Sequence, residues 1–459
     1  LQRYALELFE ALFEKGYKQT LDKATVAAAE SMKDPKLQKY ALELFLALVA
    51  KGQGYAEAAA AAAEAMENPE LQWYALELFK ALFAKEKGYA EAAAAAAEAM
   101  ENPELQWYAL ELFKALFAKE KGYAEATAAA AKAMQNPELQ RYALELFEAL
   151  FEKGYKQTLD KATVAAAESM KDPKLQKYAL ELFLALVAKG QGYAEAAAAA
   201  AEAMENPELQ WYALELFKAL FAKEKGYAEA TAAAAKAMQN PELQRYALEL
   251  FQALVRNGYQ QVFTEAAAVA AAAMQKPELK RGALELFQAL VKKGQAFEQA
   301  AAAAAKAMRN PELQWDALKL FNALFAKGEG YADATAAAAE AMQNPDLQRY
   351  ALELFEALFE KGYKQTLDKA TVAAAESMKD PKLQKYALEL FLALVAKGQG
   401  YAEAAAAAAE AMENPELQWY ALELFKALFA KEKGYAEATA AAAKAMQNPE
   451  LQRYALELF

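Results

Sequence analysis

The sequence contains no cysteine and no histidine. Disulfides, thiol chemistry, zinc ribbons and imidazole acid–base catalysis are thereby excluded. Serine is nearly as scarce. Ser31, Ser169 and Ser377 are the only three, all at one place in a repeating pattern. A serine nucleophile without histidine would need a lysine base, so they read as small residues facing a neighbouring helix. The lysines, Lys23 and its repeat equivalents among them, sit beside carboxylates on exposed helical faces, without the burial that activates an amine.

No stretch approaches 18 apolar residues without a charge, which excludes a bilayer-spanning helix and membrane insertion. A glycine-rich phosphate loop is missing too, because every glycine but Gly282 lies in or beside an inter-helix turn. Basic charge is also in deficit. The formal net charge is -12, spread at about -1 per repeat with Lys and Glu interleaved. Such a surface repels phosphate backbones, so neither a basic groove nor a nucleic-acid partner is expected. The lack of cysteine fixes no compartment, and Leu1 falls inside a repeat, so localisation stays unassigned.

What is abundant is repetition. The 13 prolines recur at spacings of 34 or 36 residues from Pro35 to Pro449. A fixed period near 34 indicates a tandem helical repeat. The units group as 36-34-34, a super-repeat of 104 residues with one extra 34-residue unit in the first group. This predicts one continuous array over 1–459, with super-repeats at roughly 1–138, 139–242, 243–346 and 347–450. Residues 451–459 begin a further unit. Residues 139–251 are identical to 347–459, whereas the block between has drifted, with Gly282 for a tyrosine and Val255 for a phenylalanine. Identity beside drift suits duplication within a gene. A consensus design is more often uniform, though engineering also makes repeats.

The unit from Pro103 shows the logic. Asn102 is an N-cap, Pro103 takes the tolerated first helical position, and Glu104 favours the dipole. Helix A is expected from 103 to about 119, with Gly122 supplying the left-handed turn that ends it. Helix B then runs from about 123 to 134. Leu105, Tyr108, Ala109, Leu112, Phe113 and Leu116 form a broad apolar face, widened by Leu110 and Phe117. The narrow stripe left over is Trp107, Glu111, Lys114 and Ala118. A helix apolar over so much of its circumference must be covered on several sides, as stacked repeats do. Helix B is alanine-rich, with Thr127 and Met134 on one side and Glu125 and Lys132 on the other. Small side chains let axes approach closely. B helices should therefore crowd on a concave side and A helices spread on a convex one.

Gly122-Tyr123, Ala133-Met134 and Asn136-Pro137 make the unit resemble the tetratricopeptide repeat. The long helix A makes HEAT-like repeats an equal comparison. Helix A lacks the small mid-helix residue of the tetratricopeptide family, and helix B has alanine where that family has tyrosine. Both resemblances imply an all-α, right-handed α-solenoid, here of about 13 two-helix repeats, that binds protein or peptide. No ligand residue carries over from either.

No catalytic, cofactor or metal site is read from the sequence. Glu57 with Glu64, and Glu91 with Glu98, stand two turns apart on one helical face, which suits a solvated surface better than a shared cation. Two stripes could meet a partner. On helix B the outward positions read Lys23/Glu30, Glu57/Glu64 and Glu125/Lys132, changing to Glu265/Ala272, Gln299/Lys306 and Asp333/Glu340 in the drifted block. On helix A the third residue alternates between Arg or Lys and Trp73, Trp107, Trp211, Trp315 and Trp419. Each ring is either a packing lid over the next repeat's first turn or part of an aromatic ridge.

The expected function is non-catalytic: a protein-binding or scaffolding solenoid. The alternative is a segment of a self-assembling filament, ring or surface array whose partner is another copy. The last nine residues repeat the first nine, LQRYALELF, and would leave Tyr454 and Leu458 largely uncovered. A longer array, or head-to-tail assembly, is the expectation from that ending.

Overall fold

The computed structural model describes residues 2–15 and 18–458, and every regular element among them is a helix. Leu1, Phe459 and the first Gly-Tyr turn, Gly16-Tyr17, lie outside the described residues. Two compact units divide the chain, Leu1–Ala230 and Thr231–Phe459. Each is a stack of helix pairs, an all-α solenoid of two-helix repeats.

In the first unit, helix A Gln106–Phe117 and helix B Tyr123–Ala133 form one pair. The Asn-Pro signal marks something slightly different from a helix start. Asn102 Oδ1 accepts the Glu104 amide at 3.0 Å, and the Leu105 amide bonds Asn102 O at 3.0 Å. Residues 103–105 thus make one tight turn, and the α-helix begins after Leu105, whose φ of -106° lies off the helical value. Gly122 is likewise reassigned. Helix A stops at Phe117, and Gly122, at φ 72°, opens helix B. A Cβ there would sit 3.2 Å from Leu116 Cδ1 and 3.5 Å from Ala93 of the preceding repeat, so left-handed geometry and close packing both favour glycine.

The apolar face is buried as its spacing requires. Ala109, Leu112, Phe113 and Leu116 have no exposed surface, and Leu110 and Phe117 almost none. Each such phenylalanine contributes on the order of 1.5–3 kcal/mol through burial. Gln106 is buried among them, a position the apolar pattern skips. Its counterparts explain why. Gln140 Nε2 donates to Met134 O at 3.3 Å, closing off helix B of the preceding repeat, and to Leu175 O of the next repeat at 3.2 Å. One buried amide thereby ties three successive repeats, through the Met134 carbonyl at the end of helix B and through the Leu175 carbonyl, which also accepts the Ala179 amide.

The two residues added in a 36-residue repeat lengthen helices rather than the loop. Helix A there is Gln140–Glu152 and helix B is Lys156–Ser169, joined by three residues where the 34-residue unit uses five. The early start of helix B places Thr158 against Thr127, with hydroxyls 2.8 Å apart. At the other end Gln135 Nε2 reaches Ala165 O and Ser169 Oγ, both at 3.3 Å. Thr127 and Gln135 precede a 36-residue unit and fix its register on the unit before.

Alanine does not make all B helices crowd equally. Lys156–Ser169 packs closely on Tyr123–Ala133 before it but only lightly on Tyr193–Ala203 after it. The position where the next repeat's glycine docks carries Thr163 here, 3.2 Å from a Cβ built on Gly192, in place of Ala93 or Ala197 elsewhere. Threonine is not the cause, because Gln260–Ala273, with Ala267 at that place, packs just as lightly on Phe297–Met308, so the light contact goes with the longer helix B of the 36-residue unit.

The second unit repeats the scheme by itself. Thr335 and Thr366 lie 2.9 Å apart, Gln343 reaches Ser377 at 3.2 Å, and Gln348 donates to Met342 O and Leu383 O, each at 3.2 Å. Helix Lys364–Ser377 again packs on Tyr331–Ala341 and only lightly on Tyr401–Ala411. Near its end Tyr454 and Leu458 are half-buried rather than largely uncovered, and Leu456 is an exposed apolar side chain.

Candidate partner-binding surfaces

Helix A turns its polar stripe away from the stack, and the third residue stands in the middle of it. Trp73, Trp107, Trp211, Trp315 and Trp419 are each 53–54% exposed. Four of the rings meet the following tyrosine of their own helix edge-on, with centroids 4.6–4.9 Å apart. Trp315, followed by Asp316, instead lies under the Lys319 ammonium at 5.0 Å. Each indole therefore rests on its own helix and leaves about half its surface open. Where the residue is charged, it is held along the surface. Arg141 pairs with Glu145 at 3.4 Å, and Lys177 lies over both Tyr178 and Tyr212 at 5.5 and 5.7 Å.

On helix B, Lys23, Glu30, Glu57, Glu64, Glu125 and Lys132 are all exposed. Lys132 also has a structural role, since its ammonium lies 2.5 Å from Glu101 of the preceding repeat. Among the described residues, no three carboxylates gather as metal ligands would. Nor is any described helix long and apolar enough to cross a membrane. Ser169 is fully buried, its hydroxyl 2.8 Å from Ala165 O and 3.1 Å from Met134 O. The sequence reading passed over Val164, 58% exposed between Lys161 and Glu168 on a shallow cleft of about 280 Å3. Its signal was a lone β-branched residue where neighbouring units carry alanine, as at Ala128.

Beside the tryptophan stripe runs a band of carboxylates. Partial burial raises the Glu148 carboxyl above the ordinary 4.5, and Glu145, Glu181 and Glu152 push it further. Glu356 is raised by burial and then by Glu353, Glu389 and Glu360. Burial raises Glu181 as well, against the pull of Lys177. A raised carboxyl binds its proton more tightly folded than unfolded. Its stabilising contribution is complete below the unfolded value and is lost as pH rises through the folded one. Stability should thus fall with rising pH just above the ordinary carboxylate range. Glu148→Gln is expected to raise the melting temperature at neutral pH by about a degree or more and to flatten that fall. Melting curves at pH 4.5 and pH 7 check it, and identical curves for both proteins would contradict the assignment.

The drifted block makes that same replacement itself, with Gln252 at the Glu148 position. Here the charge of the helix A face reverses locally. A depression of about 400 Å3 opens on the helix A face of the second unit, lined by Arg256, Arg281, Lys292, Lys293 and Lys319 with only Glu285 and Asp316 against them. Net charge concealed it, because a chain at -12 can still gather five cations locally.

No protein-family model matches the chain, and no curated protein matches it. Among solved structures it is similar to Kap121p bound to Ste12p, at 11% identity and a TM-score of 0.39, over 95% of this chain and 52% of that one. It is also similar to yeast importin-beta (Kap95p), at 12% identity and a TM-score of 0.37, over 96% and 68%. Kap121p bound to Nup53p follows at 11% and 0.41, over 96% and 53%. The chain spans about half the length of Kap121p.

Proposed function

We propose that the chain is a non-catalytic, protein-binding solenoid whose contacts include the tryptophan stripe of the A helices. The observation that carries this reading is the half-exposure of all five tryptophans on otherwise polar stripes. A ring left half open, with its aromatic or cationic neighbour on its own helix, leaves a large apolar surface that a partner can cover. Tryptophan is also the residue type that most often dominates binding energy at protein interfaces. The alternation with Arg and Lys spaces the rings so that a partner meets aromatic and charged groups in turn. The exposed pairs on helix B offer a second, polar face.

The test compares captures by the wild type and by a variant with all five tryptophans changed to arginine, the residue other repeats use there. Proteins held by the wild type and lost by the variant are the expected result. Equal captures would contradict the role of the stripe. A wild-type particle of a defined multiple of 50.2 kDa that reverts to the monomer in the variant would make the partner another copy.

A further inference from the structure

We propose that the depression in the second unit is a binding site for an acidic peptide segment of a partner protein. The inference rests on the reading of the chain as a protein-binding solenoid and gives one site its chemistry. In residues 139–242 and 347–450 the same positions carry two tyrosine rings under a lysine. The Lys177 ammonium is sandwiched against Tyr178 and Tyr212, and Lys385 lies over Tyr386 and Tyr420, both at 5.6 Å. In the drifted block those two tyrosines are Gly282 and Asp316. Loss of both rings opens the space. Gly282 also lets the preceding repeat come close, since a Cβ there would lie 2.6 Å from Gln244 Cδ.

The charges change with the shape. Glu152 becomes Arg256, Ala188 becomes Lys292 and Glu215 becomes Lys319, so a lining that is net acidic in 139–242 becomes net basic. None of these changes serves packing, because Arg256, Lys292 and Lys319 are exposed. Only some of the cations are neutralised. Arg281 faces Glu285 at 3.6 Å and Asp316 at 4.0 Å, while Lys293 donates to the Arg256 carbonyl at 3.1 Å. Gln252 and Gln288, in place of Glu148 and Leu184, add amides that can both donate to and accept from a peptide backbone.

Cations separated by two carboxylates suit a peptide whose acidic side chains alternate with neutral ones. A phosphate backbone would bring unbroken charge past Glu285 and Asp316, and would approach a chain of net -12. Fluorescence anisotropy of a labelled glutamate-rich peptide with the full chain tests the site. Saturable binding is expected, weakened about tenfold or more by salt and by the triple change Arg256→Glu, Lys292→Ala and Lys319→Glu. These are the residues of the sister repeats, so the fold accepts them. Asp316→Tyr, which restores a ring, should weaken binding while leaving melting unchanged. A glutamine-rich peptide should not bind. Equal binding by wild type and triple variant, or none by the wild type, would overturn the proposal. So would displacement of the peptide by equimolar inorganic phosphate or single-stranded RNA. The five-tryptophan variant should keep this binding. Its captures can fail independently, which separates this site from the wider reading.

Discussion

Phe113→Ala is expected to cost about 3–5 kcal/mol, the price of an emptied aromatic site that its neighbours cannot fill. Phe113 has no exposed surface and stacks on Phe117 of the same helix at 6.1 Å, so removing its ring empties a fully enclosed site. Because each repeat touches only its neighbours, the loss should be local before it is global. Hydrogen exchange should rise first in Gln106–Phe117 and in the helices flanking it, while distant repeats keep their protection. Uniform loss across the whole chain, or a cost below about 1 kcal/mol, would show that this face is not the core.

Gln348→Glu is expected to have an effect of similar size, with a distinctive pH dependence. The Gln348 amide is 1% exposed and gives both hydrogens to carbonyls. A carboxylate in its place has no hydrogen to give and would be buried facing two oxygens. Burial and those oxygens would raise its pKa well above the carboxylate range, so the protonated acid could still make one of the two bonds. The variant should be destabilised by about 2–4 kcal/mol at neutral pH and recover part of that loss as pH falls. The sign follows from the raised folded pKa: the stabilising protonated form is present below it and disappears above it. Urea unfolding at two pH values measures this. A loss independent of pH would mean that the amide is a spacer rather than a double donor.

Repeat length, helix pairing and the buried face of helix A were legible because Leu, Phe and Ala recur at helical spacing around a periodic Asn-Pro. The tryptophans stood out because an aromatic residue in a polar stripe breaks that pattern. The glutamine stitch was not legible, since Gln140 lies beside the polar stripe and acquires its role only when two other repeats bring Met134 O and Leu175 O to it. Uneven packing of the B helices was hidden for a similar reason. It goes with the 36-residue unit, and it appears only where that unit's lengthened helix B meets the shorter helix B after it. The basic depression escaped notice because its cations come from three A helices spaced some 34 residues apart. Gly282 was visible as drift, but a missing ring marks a space only once its former neighbours are placed.

The most direct measurement is the melting temperature of the variant carrying arginine at Trp73, Trp107, Trp211, Trp315 and Trp419. Half-exposed rings resting on their own helices should contribute little to the stack, so melting is expected to stay within about a degree of the wild type. Helical content should be unchanged, and partner capture should be lost. A fall of several degrees, with frayed repeats around the substituted positions, would show that the indoles hold the array together and are not its binding surface.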